Sequence, residues 1–530
     1  MKKNVLALSI TAALIGLTGG AHAMTSLGGA TGDATTKLTV NTDGVGQMLI
    51  VPYFSAQGDN ATLINIVNTD TVGKAVKVRF RGAVNSDDIF DFQVFLSPKD
   101  VYAFQVAKDG SANNLARLTT SDNTCTKPAK GTTLGLINGT SFVTARLDQT
   151  MTAAGLANGT REGYVEIFNM ANIIVGSALE KAILHSQTTG VPTCSGAAWD
   201  ALNDPNFSFA EAAGKGLAAP TTGLLANWTV VDVKNAATWS GEATAIQAAS
   251  FAAGGVATPQ AGNIVYWPQT AVGLTAAETV AYTADPVLRQ IAAVKAAYYD
   301  LPDMSTPYTV ATTDPLVQAN ALTASIAATA VSNEFWTETA FGASNDWTFS
   351  MPTRRYTVAY DYVGGAVITN AGGSTAYFAV GNNLAVKTNA ETFGNGRQIC
   401  VKKADLVVSP LDREEKVPPA GSVGVVVSPS VPGEVKVLSF CGEAAVLSVN
   451  NGAPATGTSS GALKASVALN DVDTSSIGQK YGWLTIATPG ATGAGLPMLG
   501  SSYVRAAFGA NGFGATYKHR LSRPAGYSAN

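Results

Sequence analysis

Gly457-Thr458-Ser459-Ser460-Gly461 has the G-x-S-x-G spacing that holds a nucleophilic serine on a strained turn. Asp471 or Asp473 and then His519 follow in the chain order of an α/β-hydrolase triad. That chemistry needs a buried strand directly before the serine, and here Asn451-Gly452-Ala453-Pro454-Ala455-Thr456 reads as loop. In a chain with 54 glycines the match is expected to be a coincidence of composition. Oxygen-rich acids form the second candidate. Asp87, Asp88 and Asp91 cluster beside Asn85 and Ser86 between two strand patterns, and loops of this kind hold Ca²⁺ through six to eight oxygens. Their spacing matches no EF-hand, so calcium at Asp87, Asp88 and Asp91 is an expectation set against a plain solvated turn. Asn470-Asp471-Val472-Asp473 is a weaker site of the same type, and paired acids of this kind also serve glycosidases. Of three histidines only His185 and His519 lie beyond the N-terminal segment, so a multi-histidine metal site is excluded. Phosphate-binding glycine loops and H-E-x-x-H are missing, and Gly509-x-x-Gly512-x-Gly514 reads as a tightly packed strand end.

The four cysteines, Cys125, Cys194, Cys400 and Cys441, lack the close pairing of a zinc site. In an exported chain they predict two disulfides with three possible connectivities, and their separation into two distant pairs favours Cys125–Cys194 and Cys400–Cys441. Export itself is predicted by the first residues. Lys2 and Lys3 precede an apolar run from Val5 to Leu17, and Ala21-His22-Ala23 fits a cleavage site, so residues 1–23 read as a signal peptide.

The elements that would position these groups are mostly strands. Met48 to Phe54 is one, with Pro52 marking an edge or a bend. Leu63 to Val67 is another. Val76-Lys77-Val78-Arg79-Phe80-Arg81 alternates strictly, which predicts three apolar side chains on a core and three cations in water. Asp91 to Leu96 and Val101 to Phe104 follow around the turn Ser97-Pro98-Lys99-Asp100. This spacing predicts a mainly β chain built of antiparallel, Ig-like β-sandwich regions. Residues 24–43 read as a loose leader. Asp285-Pro286 and Asp314-Pro315 each place an N-cap acceptor before a proline, which predicts an inserted α-helical hairpin and the first helices of the chain. From Asp346 strands return through Trp347-Thr348-Phe349, Tyr356 to Tyr360, Val423 to Val427, Val435 to Phe440 and Val446 to Val449. The expected division is a β-sandwich domain over 24–200, a mixed segment with the α-hairpin over 201–345 and a β-rich domain over 346–530.

Only 13% of residues are charged, against roughly 25% in ordinary soluble domains, while 46% are apolar. A net charge of −3 leaves no basic footprint for nucleic acid. No later run of about 18 apolar residues predicts a transmembrane helix, and the polar ending speaks against an outer-membrane barrel. Trp228, Trp239, Trp267, Trp336 and Trp347 read as core anchors before they read as a sugar platform.

Several stretches resemble large exported proteins of proteobacteria described as cell-surface or surface-layer proteins. They are Val51-Pro52-Tyr53-Phe54, Arg161 to Ile167, Asn227 to Val233 and Asp346 to Arg355. The resemblance implies export and a surface role and brings no catalytic residue. The resulting expectation is a non-enzymatic cell-surface protein, layer- or matrix-like, whose partners are its own copies or an envelope polymer. A secreted adhesin or carbohydrate-binding protein is the alternative, and a hydrolase acting through Ser459 or an acidic pair comes third.

Overall fold

A computed structural model describes residues 36–269 apart from 112, 132–137, 205–208 and 252–256. Beyond these it describes 301–309, 314–362, 366–369, 377–378, 384–387, 397–401, 408–412, 440–450, 460–465, 469–473, 480–491, 493–508 and 511–523. The signal segment, Asp285-Pro286, Ser459 and residues 423–427 and 435–439 lie outside the described residues.

The first half supplies β1 (Lys37–Asn41), β2 (Met48–Ser55), β3 (Asn60–Asn68), β4 (Gly73–Gly82) and β5 (Asp88–Leu96). β6 (Val101–Lys108), β7 (Ala116–Thr119), β8 (Cys125–Lys127), β9 (Thr140–Ser141) and β10 (Glu162–Ile173) follow. β11 (Leu217–Ala218), β12 (Leu224–Asp232), β13 (Ala237–Glu242), β14 (Thr244–Phe251) and β15 (Ala257–Pro259) complete the set. One sheet runs β1-β14-β2-β10-β4-β5-β8, with β11 and β15 as side strands, and the other runs β13-β12-β3-β6-β7-β9. All pairings in these two sheets are antiparallel. The chain is therefore mainly β and sandwich-like, as its alternation predicts. Strands from 217–259, beyond the boundary expected at residue 200, belong to both sheets.

Alternation dictates which face meets which. Val51 and Tyr53 of β2, Val78 and Phe80 of β4 and Ile167 of β10 face Ile64, Ile66, Phe104, Trp228 and Trp239 of the second sheet in one core. Val446, Leu463 and Tyr503 from the second half enter the same core. β1 turns the end of the expected leader into a strand, because Leu38 is buried there. Pro52 lies at a bulge in β2, beyond the end of that strand's pairing with β14, in keeping with the edge or bend that the proline marks. It is tolerated because the pairing with β10 shifts between Gly163 and Val165, while β14 meets β2 only as far as Ile50.

The largest departure from expectation concerns β4. Lys77, Arg79 and Arg81 do not face water. Lys77 and Arg79 are 0% exposed and Arg81 3%, because the outer face of the larger sheet is itself covered. Helix Ala178–Ile183, residues 263–266, Met304, Tyr308 and helix Pro315–Ile326 lie over it around Met48, Phe95 and Phe168. Alternation reports that two faces differ, and it cannot say whether the polar face meets solvent or a third layer.

The helix at Pro315–Ile326 forms as predicted, with the Asp314 carboxylate accepting the Leu316 N–H. Helices also occur earlier than expected. Ala153–Gly159 is capped by Thr152, and Ala178–Ile183 begins with the capping pair Ser177 and Glu180. The S-x-x-E spacing at Ser177 was the readable signal for the second of these.

In the second half, strand Ser344–Ser350 pairs with Ala444–Asn450 and with Ser501–Phe508, which pairs in turn with Asn511–Lys518. Strand Ala330–Trp336 lies between Tyr481–Ala487 and Arg520–Ser522 in a separate sheet. Gly512 and Gly514 let strand Asn511–Lys518 approach the backbone of the β12–β13 hairpin. A Cβ at those positions would stand 2.2 Å from the Asn235 carbonyl oxygen and 2.3 Å from that of Thr238.

Candidate functional site

The acidic cluster comes together with cations. β4 and β5 are in register at Arg79 opposite Asp91 and Arg81 opposite Asp88, and β10 places Glu166 opposite Arg79 on the other side. The Lys77 ammonium pairs with Asp91, and Gln269 hydrogen-bonds to both. Arg79 Nε lies 2.9 Å from Asp88, and Arg79 Nη1 donates to the Pro302 carbonyl at 2.6 Å. Glu166 sits between Arg79 at 3.8 Å and Arg81 at 3.2 Å. Three cations and three carboxylates thus form a buried ladder of no net charge across three strands. Pairing offsets the desolvation that would forbid any one of these charges alone.

The electrostatics follow from that packing. Burial lowers Lys77 to about 8 against the pull of Asp91. Burial raises Asp91 although Lys77 opposes it. Burial alone would also raise Asp88, but Arg79 and Arg81 outweigh it and hold this carboxyl below its ordinary value. Asp87 differs from its neighbours. Its Oδ2 accepts from the Tyr362 hydroxyl at 2.8 Å, its Oδ1 is buried without a partner, and burial raises it to about 7. The loop expected to hold calcium therefore turns Asp88 and Asp91 toward Arg79 and Lys77, and Asp87 toward Tyr362. Among the described residues, no group of three or more Asp, Glu, His or Cys is arranged to hold a metal ion.

Around the G-x-S-x-G run, Ser460 rather than Ser459 can be placed. Its hydroxyl donates to the buried Asp346 at 2.5 Å, and Asp346 also accepts from Ser448, Ala462 N–H and Leu463 N–H. Asp471 and Asp473 lie on strand Leu469–Asp473, parallel to Ala444–Asn450. His519 is buried against Trp347 and Phe349, with Nδ1 2.9 Å from the Asn333 amide and Nε2 2.9 Å from the Thr348 carbonyl. Burial lowers it to about 3, so it is neutral and both ring nitrogens are engaged.

The disulfides are Cys125–Cys194 and Cys400–Cys441, closing separations of 69 and 41 residues. Trp228, Trp239 and Trp347 are buried in cores. Trp336 behaves differently. It is only partly buried, stacks on its register partner Tyr481 at 5.9 Å, and shares an outward sheet face with Trp483, which is 46% exposed.

One feature is legible only once the sheets are assembled. The outer face of β13-β12-β3-β6 is open, with Leu63, Asn65, Val101, Ala103, Gln105, Asn227, Thr238 and Ser240 among its exposed side chains. Of the side chains that alternate outward from these four strands, Glu242 alone is charged. Lys108 closes β6 at one margin and Arg117 stands on β7 beyond it. Elsewhere sixteen Asp, Glu, Lys and Arg residues among those described are buried.

Comparison with family models, curated proteins and solved structures finds no match to this chain. Geometry and composition alone carry its functional reading.

Proposed function

We propose that this is an exported structural protein of the cell surface that works by associating with copies of itself. The observation that carries the reading is the open face of β13-β12-β3-β6, where hydroxyl, amide and small aliphatic side chains extend over four strands with Glu242 as the one charge. Solvent-facing surfaces usually hold roughly a quarter to a third charged residues, which keeps copies apart. A face with a single charge lacks that repulsion, and its amides and hydroxyls can pair with those of a second copy, which offsets their desolvation. Two disulfides suit an oxidising compartment, and the apolar segment behind Lys2 and Lys3 suits export. No helix among the described residues is long and apolar enough to cross a membrane.

The experiment is surface labelling of intact cells of the native organism with a membrane-impermeant amine reagent, followed by fractionation. Labelled protein in the envelope fraction, in place of reagent-protected protein inside the cell, is the expected result. Protection from the reagent in intact cells would overturn it.

A second reading, an adhesin or carbohydrate-binding protein, is favoured by the outward pair Trp336 and Tyr481 beside the exposed Trp483. Amphipathic rings on a rigid sheet give contact area at low entropic cost.

A further inference from the structure

Where the two halves of the chain meet, a cleft of about 260 Å³ opens between β13 and the strands at the C-terminal end. Ser240 and Glu242 of β13 and Thr244 of β14 line one side, and Ser501, Thr516 and Lys518 line the other, over a floor that includes Pro52 and Leu499. Ser501 and Thr244 are only 4% and 6% exposed. The Thr516 hydroxyl oxygen is buried without a partner among the described residues. Such groups are rare unless something outside the protein satisfies them. Glu242 and Lys518 make no ion pair with the described residues and bring one negative and one positive charge to opposite sides of the cleft.

We propose that this cleft binds a single neutral sugar ring. Four hydroxyls, a carboxylate acceptor and an ammonium donor can engage alternating ring hydroxyls, while proline and leucine carbons meet the apolar face of the ring. The opposite rim charges cancel, so no charged ligand is demanded. The volume is slightly under the roughly 300–1,000 Å³ of sites that enclose drug-sized ligands, which suits one ring and not an extended chain. The assignment rests on the carbohydrate-binding reading and adds to it a site separate from the Trp336 face.

The test is titration calorimetry of the full chain with glucose, galactose, mannose and N-acetylglucosamine, with alanine as a zwitterionic control. At least one sugar is expected to bind saturably, and Thr516→Val and Glu242→Ala are each expected to weaken it about tenfold by leaving a ligand hydroxyl unpaired. Unchanged melting of both variants without ligand shows that they fold. Sugar binding equal in wild type and both variants overturns the cleft assignment and leaves the carbohydrate reading standing. Binding of none of the four sugars overturns both. Alanine bound in preference to every sugar overturns the choice of ligand.

Discussion

Asp87 is the residue whose surroundings make the sharpest statement about pH. In the unfolded chain it titrates near 4, whereas burial raises it to about 7 in the fold. Between those values the folded state holds a proton that the unfolded state lacks. Stability contributed by this group is therefore full at low pH and falls as pH rises through about 4 to 7. Asp87→Asn keeps the neutral form throughout. Its stability relative to wild type is expected to rise across the same window by on the order of 2–4 kcal/mol. Urea denaturation of both proteins at about pH 5 and about pH 8 measures the difference, and a constant offset would contradict it. His519, lowered to about 3 by burial, contributes an opposite slope, but equally in both proteins, so it cancels. The ladder makes a second residue-scale prediction. Lys77→Met strands the buried Asp91 carboxylate and is expected to cost about 3–5 kcal/mol, whereas Lys77→Met with Asp91→Leu recovers most of that loss. A double variant that loses as much as Lys77→Met and Asp91→Leu added together would show that the pair is not coupled. The sequence made Lys77, Arg79 and Arg81 visible as one face of a strand and Asp87, Asp88 and Asp91 as an acidic cluster. That the two meet was hidden, because it depends on the strand register and on a covering layer drawn from residues beyond 170.

At the scale of elements, period-2 alternation identified β4, short apolar runs between turn residues identified β2, β3, β5 and β6, and the capping aspartate identified helix Pro315–Ile326. Short helices such as Ala178–Ile183 leave little trace in the sequence, because six residues give little periodicity and only the Ser177–Glu180 capping pair marks this one. The glycine run at Gly509-x-x-Gly512-x-Gly514 was legible as tight packing, but its partner was not, since Thr238 lies far away in sequence. At Gly514 a methyl group would stand 2.3 Å from the Thr238 carbonyl oxygen, so backbone must move. Gly514→Ala is expected to destabilise by about 1–3 kcal/mol through overpacking. The same displacement lengthens the bond from Trp239 Nε1 to the Val504 carbonyl, 2.7 Å in wild type. Thermal unfolding monitored by tryptophan fluorescence reports both effects, and a wild-type melting curve for Gly514→Ala would refute the close approach.

For the whole molecule, low charge content was readable from composition and strands from residue patterning, and with the export signal and the resemblance they support the expectation of a surface role. Which face is bare of charge was not readable. Asn65, Ala103, Asn227 and Ser240 become neighbours only when β3 pairs with β6 and β12, and β12 with β13. Sedimentation velocity of the purified chain over rising concentration tests self-association through that face most directly. Species larger than one chain are expected to grow with concentration. Ala103→Lys combined with Asn227→Lys, which places like charges on two strands of the face, is expected to return the protein to a monomer with its far-UV circular dichroism unchanged. A wild-type chain that stays monomeric at every concentration, or assembly that persists undiminished in the double variant, would contradict it.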